Sequence, residues 1–579
     1  MNKLLLLFIV LFLCASLYSQ QKWSVDRRKA TKPYIGNYTT LPDNNYNWEN
    51  PNHSSRVYQN NGEMLVVGPN VRVLPNTNQQ DEIILVRHPV NQFIMFGSSN
   101  TTVSGFTNGQ GGYITTDGGV SWTGTDIVPG FINPSDPGPT IDKNGTIILT
   151  SLDPNVTSVS STNNGITWLP KVSITNQNSD KNFAASDDAP SSPYYGRSYV
   201  VWTNFASGGP IVISYTTNGG ANWSAPSQIN LPPSGYYSQG ADISIGPNGE
   251  VYVCWAAPLT GGVHTEGFAG FAKSTNAGVT WTVTENAFAK NGIRADTFNG
   301  WNFRVNSFPR ISVDRSGGSR NGWIYIVSTD INLAPSGSDA DVIMHYSSNG
   351  GTSWSVGIRV NQDALNNGKV QFFPAIRVDE AGGVNICYYD NRNYPSVGDS
   401  CETYLSRSTN GGTTWTDIVV SDHRWLVAGE AGLGSYGGDY IGITSGNGKI
   451  WPFWFDNKSG SMQAWTCSVD IPPIGISENH NVIPKTFSLS QNYPNPFNPS
   501  TNIKFNVPKA GNVKLEVFDM LGNSVAMLVN NYMQPGSYST DFNASSVASG
   551  VYFYKMQFSD ASASLSTSLT DTKKMILVK

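Results

Sequence analysis

Charge is scarce in this chain. Asp, Glu, Lys and Arg make up 13% of its 579 residues, with a formal net charge of −5, against about a quarter in an ordinary soluble protein. Charge so thin and balanced forms no concentrated basic face, which excludes nucleic acid as a partner. Cysteine is scarce too, at five. Beyond Cys14 there remain Cys254, Cys387, Cys401 and Cys467, too few to frame a fold of this length. Cys387 and Cys401 flank one loop, so a local bridge is one reading. Small buried hydrophobes are the other. The six histidines show no zinc-ligand spacing, no acidic run matches a calcium loop, and neither a phosphate-binding glycine loop nor a G-x-S-x-G elbow occurs. No metal and no cofactor are expected. After Leu13 no apolar stretch reaches the roughly 18 residues that span a bilayer, so the mature chain has no expected transmembrane segment.

What is present begins with Lys3, an apolar run from Leu4 to Leu13, and small or polar residues to Ser19. That is the pattern of an export signal over residues 1–19, with a mature start near Gln20. Leu13 precedes Cys14, where a lipidated cysteine normally follows a small residue, so a lipid anchor is disfavoured. The chain is too long for one ordinary core, and 58 glycines with 12% aromatic residues suit many short strands joined by tight turns.

One phrase recurs six times: TTDGGVSW ending at Trp122, STNNGITW at Trp168, TTNGGANW at Trp223, STNAGVTW at Trp281, SSNGGTSW at Trp354 and STNGGTTW at Trp415. Such periodic recurrence marks an array of similar supersecondary units. Locally the phrase is hairpin chemistry. The side chain of Asp117, Asn163, Asn218, Asn276, Asn349 or Asn410 bonds amides of its own turn, glycine supplies positive φ, and the tryptophan packs on the neighbouring unit.

S/T-x-D/N-x-G-x-T/S-W resembles the Asp box, or BNR repeat, of sialidase-like β-propellers. The resemblance implies an all-β fold of four-stranded blades. Full units run from about Asp81 to Val128, Pro137 to Thr175, Asp187 to Ile229, Tyr237 to Phe288, Phe308 to Val360 and Phe372 to Ser421. A seventh, Gly434 to Asp470, has no such phrase and lacks a fourth strand, which Gly62 to Pro75 is expected to supply, closing the ring. The count is seven blades, with six, as in sialidases, the rival. The domains are then an extension over 20–61, a propeller over 62–471, a linker over 472–488 and a C-terminal β-sandwich over 489–579.

That last segment is similar over its length to the type A C-terminal sorting domain of the type IX secretion system. The likeness rests on Gln491-Asn492-Tyr493-Pro494-Asn495-Pro496-Phe497-Asn498-Pro499, Val517-Phe518-Asp519, Gly550-Val551-Tyr552-Phe553-Tyr554 and the basic, apolar end from Lys573 to Lys579. It implies the secretion machinery as partner and release from, or attachment to, the outer-membrane surface of a Gram-negative cell.

In a propeller the turns between third and fourth strands lie away from the functional face, so the six phrases read as structural. The other face is built by starts of first strands and ends of second strands. Second strands end in Asp153, Asn204, Asp330, Asp390 and Asp456, five residues that either ring one mouth or simply terminate strands as Asx turns. Arg392 follows Asp390, Arg310 lies in FPRIS, Arg377 in FPAIRVD, and Asp439-Tyr440 in GGDYIG. Arginine forks suit a carboxylate ligand, although Arg310 and Arg377 differ by two places in their strands. The loops Ala257 to Gly270, with His264 and Glu266, and Asp330 to Asp341 border the same face. The sialidase resemblance would also imply an arginine triad, a Tyr nucleophile activated by Glu, an Asp acid/base and an Arg-Ile-Pro motif ahead of the first box. Before Asp117 stand only Arg27, Arg28, Arg56, Arg72 and Arg87, none followed by Ile-Pro. The expectation is therefore a surface or secreted propeller that binds glycan or protein ligands. A glycoside hydrolase, whose two carboxylates would lie about 5 to 10 Å apart, and an adhesive scaffold are the alternatives.

Overall fold

The computed structural model describes residues 56–60, 63–103, 107–260, 266–294, 302–394, 400–429, 436–471, 477–479, 484, 486–509, 511–533, 535–544, 547–559 and 568–578. The export signal, Cys14, residues 20–55, His264 and most of the linker lie outside them. Among the described residues the fold is all-β, and one 3-10 turn, Phe205–Ser207, is the sole helical element. Two compact units are present: Val67–Gly446 with Ile450–Val469, and Asp470–Lys579 with Arg56–Val66 and Asn447–Lys449.

In the first unit, six sets of four antiparallel strands follow one another. Their first strands are Gln79–Arg87, Ser135–Ile141, Ser179–Ser186, Gln239–Ile245, Arg310–Val313 and Gln371–Val378. The fourth and fifth sets share one pairing, Gly292 with Asp330. A seventh set has Gly442–Gly446, Lys449–Asp456 and Gln463–Thr466, and Val71–Arg72 pairs with the last of these, the place expected for the segment 62–75. Each first strand packs against the next, and Gly442–Gly446 packs back against Gln79–Arg87. The third set starts earlier than the sequence pattern suggests. Ser179–Ser186 reads SDKNFAAS, and its polar start hid it from a hydrophobic pattern.

Apolar clusters fill the space between successive sheets, such as Phe96, Ile141 and Leu149 between the first two and Leu152, Val200 and Trp202 between the next. Because both faces of each sheet are covered, second strands such as Val251–Pro258 and Val384–Asp390 are buried along their whole length. Alternation is lost there, and the strands read as continuous apolar runs.

The six repeated turns are hydrogen-bonded within themselves. Asp117 Oδ1 accepts from Val120 N and Ser121 N at 3.1 and 3.0 Å, and Gly119 N donates to Thr115 Oγ1 at 2.9 Å. Asn163, Asn218, Asn276, Asn349 and Asn410 accept in the same way from the amide four residues on. Each tryptophan packs on the preceding sheet: Trp168 on Phe96, Trp223 through Nε1 on Ser158, Trp281 beside Tyr199 and Ile213, Trp354 on Phe271, and Trp415 in the cluster of Tyr325 and Met344.

All four described cysteines are free and buried, which overturns the bridge reading for Cys387 and Cys401. Cys387 pairs with Leu405 in the adjacent strand. Cys401 thus sits four residues further along, about 13 Å away at strand rise, beyond disulfide reach.

The second unit holds two four-stranded antiparallel sheets around Ile503, Phe505, Leu515, Val517, Tyr554, Met556 and Met575. Here alternation is clean, as in Gly511–Phe518, where every second residue is buried. The Asn- and Pro-rich stretch is fixed by Tyr554, whose Oη accepts from Asn492 N at 2.7 Å and donates to Ser490 O at 2.8 Å, and by Phe497 N donating to Ile576 O at 3.0 Å.

Candidate functional site

The first strands share a distortion that builds the site. A register shift occurs near the start of the first, second, third, fourth and sixth. There Glu82, Asp136, Lys181, Gly240 and Phe373 adopt positive φ, between 49° and 71°. A bulge of this kind re-aims its side chain, and non-glycine residues held there store strain that is characteristic of functional sites. Glu82, Asp136 and Lys181 thereby meet at the N-terminal end of the ring of first strands.

Glu82 is fully buried, and Tyr436 Oη and Asn100 Nδ2 donate to its two oxygens. Burial pushes its pKa well up, and the carboxylates of Asp136, within hydrogen-bonding reach, and Asp439 push it further. Its surroundings thus favour the neutral, protonated form of the acid. Asp180 accepts from Gln239 Nε2 and is raised to about 7 by burial and by Asp136. Lys181 Nζ has no hydrogen-bond partner and lies 3.6 and 3.8 Å from the ring centroids of Phe183 and Tyr440. Burial, then Arg310, lowers its pKa to about 7, so it is poised between amine and ammonium. Tyr440 Oη is likewise buried without a partner. The guanidiniums around this mouth are committed to protein acceptors: Arg304 to both oxygens of Asp439, Arg310 to Asp242 Oδ2 at 2.8 Å and Ile441 O at 3.0 Å, and Arg294 to Gln239 Oε1 at 2.6 Å.

Of the residues singled out from sequence, the structure brings Arg310, Asp439 and Tyr440 to this mouth. The second-strand ends stand one strand further out, Asn204 opposite Ser179 and Asp390 opposite Gln371, and all but Asp330, whose Oδ1 is buried without a hydrogen-bond partner, are in local ties. Asp153 accepts from Ile132 N, Asn133 N and Lys171 Nζ. Asn204 caps Phe205–Ser207. Asp330 is buried and raised by that burial to about 6. Asp390 is also raised to about 6 by burial, against the pull of Arg392, which bonds it at 2.8 Å and Asp417 at 2.7 Å. Asp456 accepts from His423 Nε2 and Trp454 Nε1, both at 2.9 Å. Arg377 lies beside the turn at the other end of its strand, opposite Asn385. Glu266 is fully buried in an ion pair with Lys290 at 3.0 Å.

Sequence reasoning missed Glu82, Asp136, Asp180, Lys181 and Arg304. A signal existed for the first four: QDE, SDP and SDK occur at the same point of consecutive first strands, where an ordinary strand start would not repeat charge.

Residues 491–569 match the family described as the secretion system C-terminal sorting domain. The C-terminal segment is a type IX sorting domain. A chain carrying this sorting domain is exported to the cell surface or secreted, and its partner in that step is the secretion machinery. No helix among the described residues is long and apolar enough to cross a membrane. No curated protein matches the chain. Solved structures similar to it include a protein of unknown function from Dyadobacter fermentans, 11% identical with a TM-score of 0.40, covering 70% of this chain and 99% of that one. An ulvan lyase of polysaccharide lyase family PL25 is 11% identical at TM-score 0.43, covering 68% and 95%. The intramolecular trans-sialidase from Ruminococcus gnavus is 11% identical at 0.35, covering 54% and 90%. Likenesses this distant carry no argument about activity, so function rests on the side chains.

Proposed function

We propose that this exported protein carries a seven-bladed, Asp-box β-propeller whose mouth binds a hydroxyl-rich extracellular glycan that has no carboxylate at the recognised position. One observation carries the reading. At the mouth, Glu82, Asp136, Asp180 and Asp439 surround two buried polar atoms without partners, Tyr440 Oη and Lys181 Nζ, while Arg304 and Arg310 are held by Asp439 and Asp242. Carboxylates accept bonds from sugar hydroxyls, and unpartnered buried groups are costly until a ligand meets them. A sugar carboxylate would have to displace Asp439 from Arg304 or Asp242 from Arg310. The seven-blade reading is supported by the seven first strands that pack in succession and return to the start.

A second reading, hydrolysis of the same glycan, is favoured by Glu82. A carboxyl group whose burial favours the protonated form, set beside further carboxyl groups, is the pairing that glycosidic cleavage uses. The test is the mature protein on a glycan array and a panel of fluorogenic glycosides. Binding to neutral glycans without turnover, lost in Asp439→Asn and Lys181→Met, is expected. Turnover abolished by Glu82→Gln would establish the hydrolase, and absence of binding and of turnover would overturn both readings.

A further inference from the structure

The C-terminal ends of the same first strands gather a second charged cluster, and nothing in the mouth requires it. Arg87 ends the first of them, Ser445 lies near the end of the seventh, and Arg377 is next to last in the sixth. Asp188, Arg315 and Glu380 stand in the turns that follow the third, fifth and sixth. Arg87 NH2 bonds Glu380 Oε1 at 2.8 Å, Arg315 bonds Asp188, and Arg377 Nε reaches Ser445 Oγ at 3.3 Å. Arg377 and Arg315 both lie close enough to act electrostatically on Arg87. The three guanidiniums stand with Glu380 and Asp188, and Asp187 also acts on Arg315.

Arg87 is the informative member. Its side chain is 10% exposed, yet Nε and NH1 have no hydrogen-bond partner. Both stand beside Gly446, where an added Cβ would lie 2.8 Å from each. A set of ion pairs serving only as a plug would not leave two buried donors without an acceptor, because the desolvation of each stays uncompensated. Arg315 and Glu380 are the more exposed members, with side chains 29% and 40% exposed.

We propose that this end of the ring is an oxyanion site, in which Arg87 and Arg377, with Arg315 at the rim, take a phosphate- or sulfate-type group. The planar fork of arginine matches two oxygens of such a group. The group arrives either as a free ion or as a substituent of a sulfated sugar.

The experiment is isothermal titration calorimetry of the full mature chain with inorganic sulfate, inorganic phosphate and a sulfated monosaccharide, at ionic strength fixed with chloride. Saturable binding is expected, weakened at least tenfold in Arg87→Gln and in Arg377→Gln. Should Arg87→Gln not fold, Arg377→Gln alone decides. Binding of the sulfated sugar as well as the ions assigns the site to a glycan substituent, and binding of the ions alone assigns it to the free anion. The same heat on titration with chloride alone, or affinity unchanged in both variants, overturns the proposal. Neutral-glycan binding at the mouth is measured separately, so failure here leaves that reading intact.

Discussion

Trp122 stacks on Phe453, with ring centroids 6.4 Å apart and planes 18° from parallel. The turn tryptophan of the first sheet is thus covered by the last sheet, as each later tryptophan is covered by the sheet before it. Trp122→Ala should lower stability by about 2–4 kcal/mol. The double variant with Phe453→Ala should cost less than the sum of the two, because each single change removes the same contact. Urea unfolding of the four proteins checks this, and strict additivity would sink it.

Asp180 and Lys181 give the mouth opposite pH dependences. Asp180 is raised to about 7 from 3.8, so its contribution to stability is present below pH 4 and is lost as pH rises through 7. Lys181 is lowered to about 7 from 10.5, so its contribution is present above 10.5 and is lost as pH falls through 7. Thermal melts across pH should show the acid limb flattened in Asp180→Asn and the alkaline limb flattened in Lys181→Met. Unchanged limbs would mean that these groups titrate as in the unfolded chain.

His423 is held between Asp422 Oδ1 at 2.7 Å and Asp456 Oδ2 at 2.9 Å. Burial alone would lower its pKa, but the two carboxylates outweigh it and raise the value to about 9 from 6.5. Its contribution, on the order of 3 kcal/mol, is therefore complete below pH 6.5 and is lost as pH rises through 9. His423→Gln should be less stable at pH 6 and converge on the parent above pH 9, as followed by denaturant midpoints.

Asp390 anchors Arg392 beside Asp417. Asp390→Asn should cost about 3 kcal/mol in stability, as breaking a buried pair does, and leave glycan binding unchanged within twofold. Asp439→Asn should do the reverse on binding. Loss of binding in Asp390→Asn at a temperature where it is folded would move the site outward to the second-strand ends.

The four described cysteines are buried thiols, and burial raises Cys254, Cys387 and Cys401 further. A thiol reagent should find no reactive group in the native protein and four after unfolding without reductant. Fewer than four would indicate a bridge.

Much of this was legible in the sequence because it is local. The six turns need only an Asx side chain, a glycine and their own amides, so their spacing announced repeated four-stranded sets, and Val71–Arg72 could be matched to the strand missing from the last set. The Asn- and Pro-rich stretch and the alternating strands after it announced the sorting domain. The charges of the first-strand bulges were not legible, and the sequence pattern drew attention to the second-strand ends instead. Asp153, Asn204, Asp390 and Asp456 end strands as Asx residues do, and each satisfies its bonding with near neighbours.

Composition, turn chemistry and strand alternation determined an all-β chain with an exported tail, since those signals act between residues a few positions apart. Which charges meet was decided by tertiary structure alone. Glu82 and Asp136 come from separate sheets and are aimed together by bulges whose positive φ has no fixed residue preference, from Glu82 to Phe373, and Asp439 joins them from the segment before Gly442–Gly446. Arg87 reaches Glu380 only because Gly446 leaves room beside it. Burial and mutual proximity then set the protonation of Glu82, and neither exists until the sheets have packed.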